Sequence, residues 1–145
     1  MKIQNAIRKE ILLGMLSEKE IDECDWLDLS TDDGVEVAYS RACEYVDIFS
    51  EHEIIDDAGE FRCSGEEADI EGLTPGYSRH YEVDRVALKT KDGLYISWLY
   101  WHGGGKYGEP ESVDWMREED GACFVDCVET EELVTVRKYS KLAKQ

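Results

Sequence analysis

The sequence predicts an α+β protein in which N-terminal helices pack on a C-terminal antiparallel sheet made of two β-hairpins. Apolar residues recur at helical spacing near the N-terminus, aromatic and β-branched runs follow residue 80, and Asp92-Gly93 lies between two of those runs. Helices followed by strands are typical of this class. At 145 residues we expect a single domain over 1–145, with an acidic helical part over about 1–72 and a β-rich part over about 73–145.

Three helices are predicted in the acidic helical part. Apolar residues recur every three to four positions over 2–16, which indicates an amphipathic helix whose apolar face points inward. Ser17 and Glu20 have the spacing of a capping box, so a short helix over about 18–27 is expected next. A helix start signal and further apolar residues at helical spacing predict a third helix over about 30–50.

The β-rich part begins after a stretch rich in glycine. Residues 53–80 contain only short apolar pieces, and we predict irregular structure there with one or two short strands. Residues 81–89 and 94–101 are predicted as the strands of a hairpin that turns at Asp92-Gly93 through a two-residue loop.

The length of that turn determines which side chains share a face of the sheet. Counting outward from a two-residue loop places Val86 on the same face as Leu99, and Ala87 on the same face as Trp98. A short helical piece is expected near 110–119, and a second hairpin is predicted from residues 123–128 and 133–139.

Negative charge is concentrated in one segment of the chain. Residues 17–72 hold 20 of the 34 acidic side chains and three basic ones, and therefore carry −17 of the formal net charge of −18. Such a field repels nucleic acid and attracts basic surfaces. The sequence also lacks the stripe of lysines and arginines that follows a phosphate backbone, so we expect no direct binding of nucleic acid.

These charges favour a small interaction or inhibitor protein whose negative face occupies the basic nucleic-acid-binding surface of a partner, such as a nuclease or effector complex. Carboxylates at fixed spacing on helices can present a charge row comparable to that of duplex phosphates. In size and charge the chain is similar to the acidic DNA-mimic inhibitors that phages and other mobile elements use against restriction or CRISPR nucleases, without a shared motif. The candidate partner-binding residues are Glu18, Asp22, Glu23, Asp25, Asp28, Asp32, Asp33, Glu36, Glu44, Asp47, Asp56, Asp57, Glu66 and Glu67, extended by Asp69 and Glu71.

The alternative is a small ligand-binding domain or enzyme with its site at the aromatic hairpin and glycine loop, residues 98–108. Consecutive glycines let a backbone approach a ligand closely. The glycine loop does not match the phosphate-loop pattern, because no Ser or Thr follows its lysine. It resembles the oxyanion-hole sequence of lipases, but the chain contains no GxSxG nucleophile elbow. We therefore predict no catalytic residue. The candidate ligand-loop residues are Trp101, His102, Gly103, Gly104, Gly105, Lys106 and Tyr107.

Neither a metal site nor a cofactor is predicted. The five cysteines form an odd set without CxxC pairs, and we expect reduced, mostly buried thiols. The first residues contain an apolar run of only six, too short for a signal or membrane segment, so a cytoplasmic protein is expected. A third interpretation of the charge is that the acidic surface serves solubility alone.

Overall fold

The computed structural model describes residues 1–16, 24, 27–44, 54–105, 110 and 113–143. Three helices precede the strands in this part of the chain: α1 over Ile3–Met15, α2 over Asp32–Glu44 and α3 over Ile54–Arg62. Helix α1 packs against both α2 and α3, which also contact each other. The predicted first helix is confirmed, and the predicted third helix is confirmed as far as its described residues reach. Most of the helix predicted over 18–27 lies outside the described residues.

Helix α3 corrects the prediction of irregular structure over 53–80. Its nine residues are too few for a periodic apolar pattern to stand out from the sequence. Ile54 and Phe61 are seven positions apart, so they lie on one face of the helix and pack against the core. Two aspartates in the first turn and an arginine in the last turn suit the helix dipole. Helix α3 therefore forms from charge placement and two apolar contacts.

The strands form an antiparallel sheet in the order β1-β2-β3-β4. Strand β1 covers Glu66–Glu67, β2 covers Glu82–Lys89, β3 covers Tyr95–His102 and β4 covers Cys123–Val125. A 3-10 helix over Glu118–Asp120 precedes β4, within the stretch where a short helical piece was predicted. The predicted α+β class, with helices before an antiparallel sheet, is confirmed.

The hairpin of β2 and β3 is confirmed, but its loop has three residues instead of two. The loop lies between Thr90 and Leu94, where the Thr90 amide donates to the Leu94 carbonyl over 2.7 Å. Gly93 provides the left-handed conformation that this longer loop requires, with φ +84°. The extra residue shifts the register by one, so Val86 pairs with Trp98 and shares its face. The predicted assignment of Val86 and Trp98 to opposite faces is wrong.

The end of the chain also differs from the prediction. Strand β4 joins the sheet through β3, with Cys123 opposite Ser97. Residues 133–139, expected as the returning strand of a second hairpin, are described without a strand and are exposed. The segment 127–143 contains no Gly, Pro, Asn or Asp, the residues that make tight turns, and the chain runs on without reversing.

The core lies between the helices and one face of the sheet. Trp98 is fully buried at its centre, with ring centroids 5.4 Å from Phe61 and 5.6 Å from Trp115. Its indole nitrogen donates to the Arg62 carbonyl over 3.1 Å, so the polar end of this side chain is also satisfied. The apolar face of α1 packs against the same cluster, as the periodicity predicts.

Candidate functional site

The acidic residues predicted to bind a partner fall into three groups in the structure. Those outside the described residues are Glu18, Asp22, Glu23, Asp25 and Asp47. Glu44 is the last residue of α2. Those whose side chains are described are Asp28, Asp32, Asp33, Glu36, Asp56, Asp57, Glu66 and Glu67, of which Asp32 and Asp57 are half-buried and the others exposed.

Two of these carboxylates fasten α1 to α2. The amide nitrogen of Asn5, a buried side chain, donates to Asp32 over 2.8 Å and to Glu36 over 3.0 Å, and the Lys2 backbone amide donates to Asp32 over 2.9 Å. These hydrogen bonds, that of Asn5 foremost, hold the pKa of Asp32 below its usual value. Sequence reasoning placed Asp32 and Glu36 on a partner surface, whereas the structure also gives them a role within the fold.

Asp28 organises the turn that leads into α2. Its carboxylate accepts hydrogen bonds from the Ser30 hydroxyl at 2.5 Å and from the Ser30 amide at 3.0 Å, which lower its pKa. A side chain at Gly34 would lie 1.8 Å from the Asp28 carbonyl oxygen, so the first turn of the helix requires glycine there. This close approach explains why a glycine lies in the first turn of α2.

The remaining carboxylates form no ion pair with another described residue. The cations of the described residues that pair with acids do so elsewhere: Lys9 with Asp92 at 2.9 Å, Lys89 with Glu129 at 3.3 Å, and Arg117 with Asp114 and Asp120 at 3.0 and 2.7 Å. Among the predicted partner-binding residues, those with neither a described ion pair nor a described side-chain hydrogen bond are called the acidic surface: Asp33, Asp56 and Asp57 on the helices, and Glu66, Glu67, Asp69 and Glu71 in β1 and the loop after it. Its charge is available to a cationic partner.

The sheet face opposite the helices carries a groove of about 520 Å³. Its floor includes Ala87, Tyr95 and Val125 from three neighbouring strands, with Ile70 from the loop after β1. Its acidic lining residues come from two distant parts of the chain: Glu66, Glu67, Asp69, Asp126 and Glu129. We call this feature the sheet groove. Its last two acids escaped sequence reasoning because they lie outside the acidic segment and meet the others only through strand order.

One end of the sheet groove is formed by a hydrogen-bonded group. The Tyr95 hydroxyl donates to the Glu129 carboxylate, which also accepts from Lys89 Nζ at 3.3 Å, and this nitrogen lies 5.6 Å from the Tyr95 ring centroid. The bond to Glu129 raises the pKa of the Tyr95 hydroxyl, and the donors Tyr95 and Lys89 lower the pKa of Glu129. Glu129 is therefore held in its charged form.

The middle glycine of the loop after β3 is required by the packing of that loop. Gly103, Gly104 and Gly105 all have positive φ, at +73°, +85° and +46°. A β-carbon at Gly104 would lie 2.5 Å from the Tyr81 ring, so the loop can pack on that ring only with glycine. The nearby depression of about 370 Å³ is lined by Tyr81 and residues before it and in β2, and not by these glycines.

The aromatic residues before the loop are held by their neighbours. His102 Nε2 lies 2.7 Å from Asp84 and its Nδ1 lies 3.3 Å from Glu82, so both ring nitrogens face carboxylates. Its ring stacks on Tyr100, with centroids 5.0 Å apart. The indole nitrogen of Trp101 is buried without a hydrogen-bond partner in the described structure. Lys106 and Tyr107 lie outside the described residues, and a ligand site at this loop stays a prediction.

The cysteines and acidic residues show no metal centre in the described part of the chain. No group of three or more His, Cys, Asp or Glu side chains there could hold a metal ion. None of the five cysteines, all of which the structure describes, is in a disulfide, and Cys43, Cys63 and Cys127 are exposed. The expectation of mostly buried thiols is therefore wrong, because these three lie at a helix end, after α3 and after β4 instead of in the core.

Compared with protein-family models, with curated proteins and with solved structures, the chain matches none of them. Among the described residues, the helices are too short and too polar to cross a lipid bilayer. Function is therefore inferred from charge, exposure and shape.

Proposed function

We propose that the protein binds a basic nucleic-acid-binding protein through the acidic surface and occupies the site where that partner would hold nucleic acid. The observation that carries this proposal is the concentration of negative charge in one segment. Residues 17–72 carry −17, and the described carboxylates of the acidic surface have no described cation beside them. Like charges held together lower the stability of a fold, which is more readily tolerated where the charge is used.

The chemistry of the acidic surface suits lysine and arginine side chains that normally contact phosphates. Duplex DNA presents about one charge per 1.7 Å of its axis, and proteins bind it largely by neutralising those charges. Carboxylates accept bidentate hydrogen bonds from arginine as phosphates do. Asp33 on α2 and Asp56 and Asp57 on α3 provide such acceptors on helices that pack against the core.

The balance of charge elsewhere favours this proposal over solubility as the explanation of the acidity. Residues 73–145 hold 13 acidic and 10 basic side chains, so the β-rich part has a net charge of only −3, and Arg117 and Lys89 form ion pairs there. A need for solubility would be met by acids spread over the whole surface. The concentration of acids in one segment instead suits a local field that steers a basic partner.

The test compares the wild type with a neutralised variant, D33N/D56N/D57N/E71Q, which keeps hydrogen-bond acceptors at every position. Both proteins are immobilised, exposed to bacterial lysate and eluted with rising salt, and the eluted proteins are identified by mass spectrometry. We expect the wild type to retain a nucleic-acid-binding protein that the variant loses. Added in solution, the wild type should displace labelled duplex DNA from that captured protein, with an apparent affinity that falls as salt rises.

The matched control is E118Q/E119Q/E131Q/E132Q, which removes the same number of charges from exposed positions outside the acidic surface. It should capture the partner as the wild type does. Equal capture by the neutralised variant would overturn the proposal, as would a captured protein that binds DNA and this chain simultaneously.

A further inference from the structure

The C-terminal segment of the described chain is apolar and yet uncovered. Beyond Glu129 every described residue is exposed, and residues 130–143 contain no helix, strand or turn. Val134 and Val136 are 77% and 74% exposed, and Leu133 and Leu142 are more exposed still. Contiguous exposed apolar residues of this kind mark interaction sites. We call residues 133–143 the C-terminal segment.

The charge of the C-terminal segment is opposite to that of the sheet groove. The segment contains Arg137, Lys138 and Lys141 and no acidic residue. The groove lining contains five acidic residues and a single basic one, Lys89. Apolar side chains of the segment match the apolar floor of the groove, and its cations match the acids around that floor.

The segment does not fold back into the groove of its own chain. It leaves the body of the protein at Glu129, which itself lines one end of the groove. Filling the groove from there would require the chain to reverse immediately, but residues 127–143 contain no Gly, Pro, Asn or Asp, and no turn or bend is present among them. No described residue after Glu129 lines the groove, so the groove is open to another molecule, and the segment that suits it is part of this chain.

We propose that two copies of the protein exchange their C-terminal segments, each segment lying in the sheet groove of the other copy. Such an exchange is isologous, because the same two surfaces are used by both copies. In the dimer the exposed apolar side chains of both segments become covered, and the acids of each groove gain cationic partners. The eleven residues of an extended segment span roughly 36 Å, enough to cross from one copy to the other.

Sedimentation velocity over a wide concentration range tests the proposal with the full chain. The wild type should approach twice the 16.6 kDa monomer mass as concentration rises. V134D/V136D places charge on the segment without touching the core, since both side chains are exposed, and it should raise the dimer dissociation constant by about tenfold or more. The matched control is Tyr77→Asp, at an exposed residue that does not line the groove, which should dimerise as the wild type does.

A charge exchange between the two surfaces identifies the groove as the docking site. In E66K/E67K/D69K the groove carries four lysines against two acids and repels its own basic segment, and in R137E/K138E/K141E the segment is wholly acidic and repels its own acidic groove, so each variant alone should be monomeric. Mixed together, each segment meets a groove of opposite charge in both directions, and the heterodimer should form.

A wild type that stays monomeric would overturn the proposal, whether its segment is free, folds onto its own chain or awaits a different protein. A dimer unaffected by V134D/V136D would overturn it as well, and failure of the mixed variants to associate would overturn the assignment of the groove. These outcomes are independent of the proposed function, because its test neutralises Asp33, Asp56, Asp57 and Glu71, which do not line the groove.

Discussion

The two faces of the sheet are buried by different means. The face toward the helices, the helix face, carries Val86, Ile96 and Trp98, all buried in the apolar core. The opposite face, the loop face, buries Arg85 and Ser97. Regular helices cover the first face and irregular loops cover the second. The helix face is thus stabilised by apolar area, whereas the loop face depends on hydrogen bonds that bring backbone carbonyls to one cation.

The loop face is organised by the guanidinium of Arg85. Its Nη1 donates to the Ser97 hydroxyl and the Gly121 carbonyl, both at 3.0 Å, and its Nε donates to the Thr74 carbonyl at 3.3 Å. These acceptors are neutral and come from three separate parts of the chain. A planar guanidinium with several fixed donors suits such a site. Arg85 therefore joins two loops to the sheet.

Removing the central side chain of the helix face should have the largest effect. Trp98→Ala deletes a fully buried indole in contact with Phe61 and Trp115, and it should lower the free energy of unfolding by about 3–5 kcal/mol. Urea denaturation followed by circular dichroism measures this loss. Leu94→Ala, at an exposed position beside the same hairpin loop, is the control and should change stability little. Equal losses from both substitutions would contradict the central role of Trp98.

Removing the cation of the loop face should have the next largest effect. Arg85→Met fills similar space but leaves the Ser97 hydroxyl and two carbonyls without their donor, at a cost of about 2–3 kcal/mol. Arg85→Lys should recover little of the loss, because one ammonium cannot reach acceptors in three directions. Denaturation of the two variants side by side measures both effects. A methionine variant as stable as the wild type would show that apolar burial stabilises both faces alike.

Sequence patterns anticipated the hairpin but not which of its side chains share the helix face. Aromatic and β-branched runs and the Asp-Gly signal indicated a hairpin of β2 and β3, and that hairpin forms. Its register was missed because the loop closes at Thr90 and Leu94, a choice of backbone pairing that the turn dipeptide does not reveal. Arg85 was missed because two of its acceptors are main-chain carbonyls 11 and 36 residues away, which no side-chain pattern encodes.

The candidate site shows a similar division. The concentration of acids was evident from composition, because charge is a property of residue type. Engagement of Asp32 and Glu36 with Asn5 was not evident, since it depends on how α1 lies against α2. Nor did sequence show that Glu129 lines the same groove as Glu66, because strand order brings these distant residues together.

The approach of β1 to the helix face gives a smaller test of its packing. A β-carbon at Gly65 would lie 2.7 Å from a methyl group of Val86 and 2.9 Å from the Trp98 ring, so Gly65→Ala should cost about 1–2 kcal/mol. Gly59→Ala is the matched control, since nothing lies within 4 Å of its added methyl group inside α3. The control should stabilise the protein by about 0.5–1 kcal/mol through helix propensity. A lower melting temperature for Gly65→Ala and a higher one for Gly59→Ala would confirm that the helix face is closely packed at Gly65. A higher melting temperature for both variants would contradict this close packing.

The smallest effect is expected where the helix layer meets the hairpin loop through a carboxylate. Glu10 on α1 is buried and accepts a hydrogen bond from the Lys91 amide at 3.2 Å. Burial raises the pKa of Glu10 above its usual value of 4.5, so the folded state holds this proton more tightly than the unfolded chain does. The resulting stabilisation is complete below pH 4.5 and is lost as pH rises through the folded pKa.

Glu10→Gln removes this titration and keeps an acceptor for the Lys91 amide. The free energy of unfolding of the variant, relative to that of the wild type, should therefore increase between acidic and neutral pH. The reason is that only the wild type has a buried carboxylate that becomes ionised as the pH rises. Urea denaturation of both proteins at several pH values measures the difference, from which the titration of all shared groups cancels. If the variant instead becomes less stable relative to the wild type as pH rises, the ionised carboxylate stabilises the contact between α1 and the hairpin loop. The helix face, like the loop face, would then depend on a charged hydrogen bond.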